Sequence, residues 1–427
     1  MIYLLVICLL IITIIAYVVN NKELTAPSFV FSLSFLFSSI WALAFKQEWL
    51  LDSLHLNTFL VIVGGNILFL IVSRFISIFF KKNDKTNMKD VEVDSFIKII
   101  CIIYMILVII LSIRSLLNAT GYSWGNILGA VKYYDSVNKF GSEYIGLSKT
   151  VFQLRYLSFA FTYWYMYLFD YKILMKKKVD FSYLIIILLG LLSTLVTGAR
   201  MIGVCMIFAG IGMYLLLLIL NKNNGFKISK KAIFRIIAIP VILLFLFPKL
   251  TYMVGRNVNT TNTYYLAIYC GAEIKNLDLY LQEYGNSVKT DKHNMTFKNL
   301  VDWLGPKLGY KDTYKFDQPF RSINGNTLGN VYTTFYSYIY DYGYMGMIVL
   351  VSIMSFICQF VYEKCKSLKE LSKPSIWILI YGYIFGTLVL VFYTNRFYEQ
   401  VFSATFFYSI LLWIIYNNVF LRFKHKK

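Results

Sequence analysis

The residues best suited to chemistry in this 427-residue chain are arginines at the ends of apolar runs. Arginine presents a planar, permanently charged fork that matches the oxygens of phosphate groups. The four candidates are Arg200 in TGAR, Arg256 in MVGRN, Arg321 in QPFRSINGN and Arg396 after VFYTN. If these ends meet, the side chains form a binding site for phosphate or pyrophosphate at the level of lipid headgroups. The alternative for each arginine is a side chain that snorkels to the headgroups, as is common at helix ends.

Aromatic and acidic residues supply the other parts of a carbohydrate site. Tyr265, Tyr269 and Trp303 offer faces on which sugar rings stack, although such residues also form the interfacial belt of membrane proteins. A glycosyl acceptor hydroxyl needs a general base, and the predicted candidates are Asp341 and His293. Asp341 has an alternative role as a helix cap at a glycine turn. His55 also lies outside the apolar runs but has no recognisable partner motif.

Several motifs for other chemistry are missing from the sequence. It contains no DxD motif and no P-loop, and its six cysteines include no CxxC pair. We therefore predict no metal, no cofactor and no disulfide framework.

The composition excludes a water-soluble globular protein. Hydrophobic residues make up 58% of the chain and charged residues 15%, with a mean hydropathy of +0.61, whereas soluble chains carry about 25% charged residues. Apolar runs of about 20 residues match the thickness of a bilayer. The sequence predicts an all-α polytopic bundle of about eleven spans, near 2–19, 25–45, 56–80, 96–117, 150–171, 181–198, 201–220, 232–250, 331–362, 375–394 and 402–420.

Basic residues set the predicted orientation. The formal net charge is +20, but the lysines and arginines cluster in short segments between apolar runs, which is typical of membrane topology signals and argues against nucleic acid as a partner. With eleven spans, five clusters fall on one side, which predicts a cytoplasmic C-terminus. They lie within 81–89, 172–178, 222–235, 364–373 and 422–427.

One long polar segment divides the chain. We predict spans one to eight in 1–250, a large extracytoplasmic loop in 251–329, and spans nine to eleven with a cytoplasmic tail in 330–427. The loop holds nine Lys or Arg and seven Asp or Glu residues, and a structureless loop of this length is unusual. Apolar residues at helical spacing predict an amphipathic helix over 263–284, packed on the outer face of the bundle.

The spans themselves are nearly free of charge at mid-membrane depth. Ion-coupled transporters usually need charged residues along the ion path, so this pattern weakens a transporter interpretation. Gly382 and Gly386 have the spacing that lets neighbouring helices approach closely.

Several segments together resemble a known family. TGAR at the end of one run, GRN before the long loop, YLAIYCGAEIKNLDLYL within it and NTLGNVYTTFYSYIYDYGYMG after it resemble the Wzy-type O-antigen and capsular polysaccharide repeat-unit polymerases. The resemblance is architectural over the whole chain and local at 194–200, 255–284 and 321–346. One family pattern, an Arg followed eleven positions later by Gly, is not reproduced, because Ile211 stands eleven positions after Arg200.

The resemblance implies a glycosyltransferase of the bacterial inner or plasma membrane. Such an enzyme joins undecaprenyl-pyrophosphate-linked oligosaccharides into a polysaccharide at the outer face, and its partners include membrane lipid, a chain-length regulator and a flippase. By position, the family's loop arginines correspond to Arg200, Arg256 and Arg321. The alternatives are an O-antigen ligase-like glycosyltransferase and a polysaccharide flippase or transporter.

The orientation yields a topology prediction. In a cysteine-free background, a cysteine introduced near residue 290 should react with a membrane-impermeant reagent added to intact cells, because the long loop is predicted to be extracytoplasmic. A cysteine placed near residue 370 should react only after permeabilisation. The opposite pattern of labelling would reverse the predicted orientation.

Overall fold

The computed structural model is mostly helical. It describes residues 1–80, 86–140, 145–222, 238, 242, 244–249, 261–284, 295–309 and 318–421. Its α-helices are α1 Ile2–Val19, α2 Pro27–Ala44, α3 Leu56–Ile78, α4 Ser95–Thr120, α5 Ile127–Phe140, α6 Lys149–Leu174, α7 Phe181–Leu195, α8 Arg200–Lys222, α9 Asn262–Cys270, α10 Ala272–Tyr284, α11 Lys298–Leu304, α12 Thr334–Lys366, α13 Ile376–Leu388, α14 Arg396–Val401 and α15 Ala404–Val419.

In the part of the chain that the structure describes, four short strands form two pairs. β1 (Asn87–Met88) runs parallel to β4 (Glu370–Leu371), and β2 (Arg321–Ile323) runs antiparallel to β3 (Asn326–Gly329). The hairpin turn between β2 and β3 contains Asn324 and Gly325, both with positive φ, which is the backbone conformation that two-residue hairpin turns favour.

Local sequence explains where the helices begin. Pro27 occupies the first turn of α2, where its missing N–H costs nothing. The side chains of Asp94, Ser148 and Asp180 accept hydrogen bonds from backbone N–H groups in the first turns of α4, α6 and α7. Each of these caps satisfies a donor that has no partner within its helix.

The long apolar helices indicate a membrane-embedded protein. Within the residues that the structure describes, six helices are long and apolar enough to cross a bilayer, namely α1, α2, α3, α4, α8 and α12. Apolar side chains such as Ile7, Ile14 and Ile103 are about half exposed, as lipid-facing residues are. Helices occupy all the predicted runs, and in 232–250 the described residues 238, 242 and 244–249 are helical. The six helices that meet both criteria are fewer than the eleven predicted spans.

The chain divides into two compact units built from interleaved segments. Unit 1 comprises Met1–Lys82, Thr260–Ser367 and Thr387–Phe407, and unit 2 comprises Asn83–Asn259, Leu368–Gly386 and Tyr408–Lys427. The predicted segments 1–250 and 330–427 each contribute to both units, whereas the described part of 251–329 belongs to unit 1.

Unit 1 is centred on α1, α2, α3 and α12. The rings of Phe31 and Phe69 stack with centroids 4.3 Å apart, and those of Phe35 and Phe335 at 4.9 Å. Gly65 makes room for Phe335, since a Cβ at Gly65 would lie 2.5 Å from that ring. Aromatic rings from α2 and α3 therefore hold the beginning of α12 in the centre of the unit.

The segment predicted as one amphipathic helix over 263–284 forms two helices, α9 and α10. They separate at Gly271, where a Cβ would lie 2.6 Å from the backbone nitrogen of Ala42 in α2. Of residues 272–281, all but one are buried, and these include the charged residues Lys275 and Asp278. α10 is thus enclosed by unit 1 on most of its circumference, and the prediction of a one-sided surface helix is wrong.

Small residues allow a close helix contact within unit 2, as their spacing predicted. A Cβ at Gly386 in α13 would lie 2.3 Å from the backbone oxygen of Cys205 in α8. One at Gly382 would lie 2.3 Å from the side chain of Met213 and 3.2 Å from the backbone oxygen of Ala209. These contacts confirm that both glycines face a neighbouring helix.

Replacement of Gly386 with alanine should therefore destabilise the protein. Its Cβ meets backbone rather than a flexible side chain, and overpacking of this kind typically costs about 1–3 kcal/mol. Thermal unfolding in detergent measures the effect. Gly64→Ala is the matched control, since a Cβ there meets nothing within 4 Å and alanine favours a helix. Equal melting temperatures for the two variants would contradict the proposed backbone contact.

Candidate functional site

A buried carboxylate in unit 1 gathers donors from two parts of the chain. Asp278 of α10 is fully buried. Its oxygens accept hydrogen bonds from the Thr58 hydroxyl at 2.7 Å, the Lys275 ammonium at 3.0 Å and the Gln282 amide at 3.0 Å. The backbone N–H of His55 donates at 3.0 Å. These contacts satisfy the carboxylate and fix it against the beginning of α3.

The imidazole of His55 completes this group. Its Nδ1 lies 3.3 Å from each oxygen of Asp278 and 2.5 Å from Nε2 of Gln282, while 48% of its side chain is exposed. Its Nε2 makes no hydrogen bond to any residue that the structure describes. The roles of the two ring nitrogens depend on the tautomer. When Nδ1 carries the proton it donates to Asp278 and Nε2 stays open, which is the arrangement of a general base with its orienting acid. Separation by 223 residues explains why no sequence motif revealed the pair.

Arg321 is engaged within the protein. Its two terminal nitrogens donate to the two oxygens of Glu283 at 2.6 and 2.7 Å, and its Nε donates to the Tyr332 hydroxyl at 2.8 Å. Arg321 holds the pKa of the Glu283 carboxyl below its usual value. The bidentate geometry expected for pyrophosphate is thus used to attach the β2–β3 hairpin to α10.

Arg396 and Asp341 also have protein partners in unit 1. Arg396 begins α14 and pairs with Glu399 at 3.2 Å. The two oxygens of Asp341 accept the backbone N–H groups of Met295 at 3.1 Å and Thr296 at 2.6 Å. Asp341 therefore anchors the segment ahead of α11, rather than capping the helix in which it lies. His293, the other predicted base, lies outside the described residues.

The aromatic residues predicted to stack on sugars contact protein rings. Tyr265 and Tyr269 have ring centroids 4.9 Å apart, and Tyr269 stacks on Tyr393 at 5.7 Å. Trp303 lies 5.5 Å from Phe407 between centroids. The rings thus contribute to packing, and their role in glycan stacking stays a prediction.

Unit 2 holds two buried arginines near the turn between α7 and α8. Arg200, the first residue of α8, is 6% exposed, and its guanidinium lies 4.9 Å above the ring of Phe247. Arg155 of α6 is 4% exposed, and its Nη2 donates to Ser193 O at 3.1 Å and to Thr197 Oγ1 at 3.3 Å. Its Nη1 is buried with no hydrogen-bond partner in the described part of the chain.

This turn has the composition of an anion site. Gly198, with φ of 68°, lets the chain reverse before the N-terminus of α8. Two arginines and a helix N-terminus favour an anionic ligand, and the buried carboxylate of Asp135 also lies at this turn, with Oδ1 3.0 Å from where a Cβ of Gly198 would stand. The sequence analysis did not single out Arg155. The signal that identifies it is a charged residue inside the predicted span 150–171. Arg256 lies outside the described residues, and Arg321 and Arg396 belong to unit 1.

The described residues support neither a metal site nor a serine nucleophile. No group of three or more His, Cys, Asp or Glu residues there is arranged to hold a metal ion. The segment GYSWG at 121–125 has the spacing of a nucleophile elbow, but it follows helix α4 instead of a strand, with Gly121 as the left-handed helix cap.

Comparisons with protein-family models, with curated proteins and with solved structures each found no match. The resemblance to Wzy-type polymerases therefore depends on the segments and architecture of the sequence itself.

The pair of Arg321 and Glu283 yields a pH prediction. Because the folded pKa of Glu283 is lowered, the pair stabilises the fold above the unfolded pKa, near 4.3, and this contribution is lost as pH falls through the folded pKa. Glu283→Gln should therefore lower stability at pH 7 by roughly 1 kcal/mol at most, given solvent screening. The difference from the parent protein should shrink below pH 4 in thermal unfolding. Glu370→Gln, at an exposed pair with Lys89, is the control, and a Glu283→Gln effect that grows on acidification would contradict the assignment.

Proposed function

We propose that this protein is a membrane glycosyltransferase that polymerises undecaprenyl-pyrophosphate-linked oligosaccharide repeat units into O-antigen, capsular or extracellular polysaccharide. In this proposal the chain has eleven spans and a cytoplasmic C-terminus, and 251–329 faces the outer side of the bacterial inner or plasma membrane. Two observations support this proposal. The chain has long apolar helices, and the described part of 251–329 folds into helices with buried, hydrogen-bonded polar side chains.

The pair of His55 and Asp278 carries the proposal. An imidazole that is half exposed and held through Nδ1 by a buried carboxylate is suited to accept a proton from a hydroxyl group. A flippase or scaffold has no need of such a group, whereas glycosyl transfer to a sugar hydroxyl does. His55 thus takes the role of general base that the sequence alone suggested for His293 or Asp341.

The buried arginines of unit 2 support a phosphorylated substrate. Arg200, predicted from sequence to bind pyrophosphate, has Arg155 near the same turn. Arg155 keeps a buried N–H group without a protein partner in the described residues, and a buried donor of this kind costs free energy unless a ligand or water satisfies it. We propose that these two arginines of unit 2 bind a phosphorylated ligand.

The reaction then balances without a redox step. The acceptor hydroxyl gives its proton to Nε2 of His55, and its oxygen attacks the anomeric carbon of the donor glycan. The bond between that carbon and the pyrophosphate oxygen breaks, and the electron pair leaves with undecaprenyl pyrophosphate. Positive charge beside this oxygen would stabilise the departing anion.

The test is the length of surface glycan in a deletion strain that carries each variant. Deletion should leave single repeat units and abolish long chains. His55→Gln should reduce long chains by roughly 100-fold or more, the usual contribution of a general base, and His425→Gln in the C-terminal tail should have no effect. Wild-type chain length in His55→Gln, with protein amounts checked by immunoblot, would defeat the proposed role of His55.

Arginine variants separate charge from geometry in the same assay. Arg155→Lys and Arg200→Lys keep the charge but lose the planar fork, so each should shorten the chains. Arg114→Lys, at an exposed position on α4, should not. Loss of every surface unit in the deletion strain, including single ones, would indicate a flippase or a ligase instead of a polymerase.

A further inference from the structure

Glu273 is a buried acid that the proposed reaction does not use. It lies in the first turn of α10 and is 0% exposed. Neither carboxylate oxygen forms a hydrogen bond with another described residue, and the favourable contact of the group is with its own backbone N–H. Burial raises the pKa of Glu273 well above its usual range. A carboxylate in this position needs a cation or a proton.

The charged side chains nearby are committed elsewhere. Lys275 is buried on the same helix, but its ammonium donates to Asp278 at 3.0 Å and to the backbone oxygen of Leu50 at 3.3 Å. The sequences of α2, α9 and β3, which contact α10, contain no charged residue. α3 also contacts α10, and its Arg74 donates to the backbone oxygen of Val19 at 3.1 Å. In α12, Asp341 accepts two backbone N–H groups. No protein cation among the described residues balances Glu273.

Several neutral oxygen atoms are, like the carboxylate of Glu273, buried without a hydrogen-bond partner among the described residues. Each of these atoms lacks a hydrogen-bond partner within the described ranges and belongs to a residue that is at most 6% exposed. Each lies on α10, on a helix in contact with α10, or at the N-cap of α12. They are Oδ1 of Asn276, Oγ of Ser34 and Ser38, and Oγ1 of Thr333. Buried polar atoms are nearly always satisfied, so such a set calls for an explanation such as an ion.

Contacts within unit 1 bring these elements together. A Cβ at Gly271, two residues before Glu273, would touch Ala42, which stands one helical turn after Ser38. The amide of Asn276 donates to the backbone oxygen of Val331 at 2.7 Å, two residues before Thr333. The second half of α2 therefore meets the beginning of α10, and α10 meets the chain that leads into α12.

Phe35 and Phe335 provide the third contact. Their stacked rings join α2 to the first turn of α12. Ser34 precedes Phe35 and Thr333 lies two residues before Phe335. The oxygen-bearing residues thus lie on the three elements that these contacts join, close in sequence to the contacting residues.

We propose that Glu273 is the carboxylate of a binding site for a monovalent cation of the Na⁺ type, completed by oxygens from Asn276, Ser38 and Thr333. The donor set contains only oxygen, which hard cations prefer. A single carboxylate matches one positive charge, whereas protein sites for divalent cations usually combine several carboxylates. The site would join α2, α10 and α12, and it is independent of the reaction proposed above.

Thermal unfolding of the purified protein in detergent tests this proposal. The buffer contains choline chloride, which is replaced stepwise by NaCl at constant ionic strength. The melting temperature should rise with Na⁺ to saturation, and the rise should vanish in Glu273→Gln. Glu283→Gln, an exposed acid on the same helix, should keep it. A rise that is absent in the parent protein, or unchanged in Glu273→Gln, would overturn the proposal.

A binding measurement keeps the test decisive if Glu273→Gln folds poorly. Ser38→Ala removes one neutral oxygen and should weaken binding of radioactive ²²Na⁺ by roughly tenfold or more. Ser352→Ala, at a half-buried position in α12 where the hydroxyl donates to Ile348 O of the same helix, should not. Binding should also weaken as pH falls, because protons compete for the carboxylate. Stability that responds to pH but not to Na⁺ would mean that Glu273 is a buried carboxylic acid without a cation, and would refute the site.

Discussion

The electrostatic balance on α10 is the constraint on which unit 1 depends. An isolated charge in a protein interior costs several kcal/mol unless it is paired and hydrogen-bonded. Asp278 meets this condition through an ammonium, a hydroxyl and two amides drawn from α10 and the beginning of α3. Because these partners come from distant parts of the sequence, satisfying one carboxylate fixes the relative position of two elements.

The hydrogen bonds around Asp278 also orient the imidazole of His55 at the surface. Asp278 is buried, but the imidazole that it holds is half exposed, so a rigid interior orients a side chain that solvent reaches. Arg321 contributes to the frame by tying the β2–β3 hairpin to the end of α10 through Glu283. Its side chain shows that a well-shaped arginine fork is also a structural connector.

The sequence predicted the positions of the helices better than it predicted which parts of the chain they contact. Long apolar runs produced α1, α3 and α4 at nearly the expected bounds, because bilayer thickness and helical rise constrain both. The spacing within 263–284 predicted helix but could not reveal that both faces are covered, since burial of Lys275 depends on Asp278 and on Leu50 far away in the chain. Likewise, nothing local in the sequence indicates that His55 lies beside Asp278.

Interleaving of the two units has a consequence for biosynthesis. The pocket beside Gly65 is filled by Phe335, and β1 pairs with β4, each across more than 250 residues. At 5–20 residues per second, helices α1 to α3 wait some tens of seconds in the membrane before α12 is made. During this interval the small-residue surface of α3 and the aromatic faces of α2 are open to lipid or to other nascent helices. A truncated chain ending before α12 would keep the faces of α2 and α3 without the ring of Phe335 that covers them.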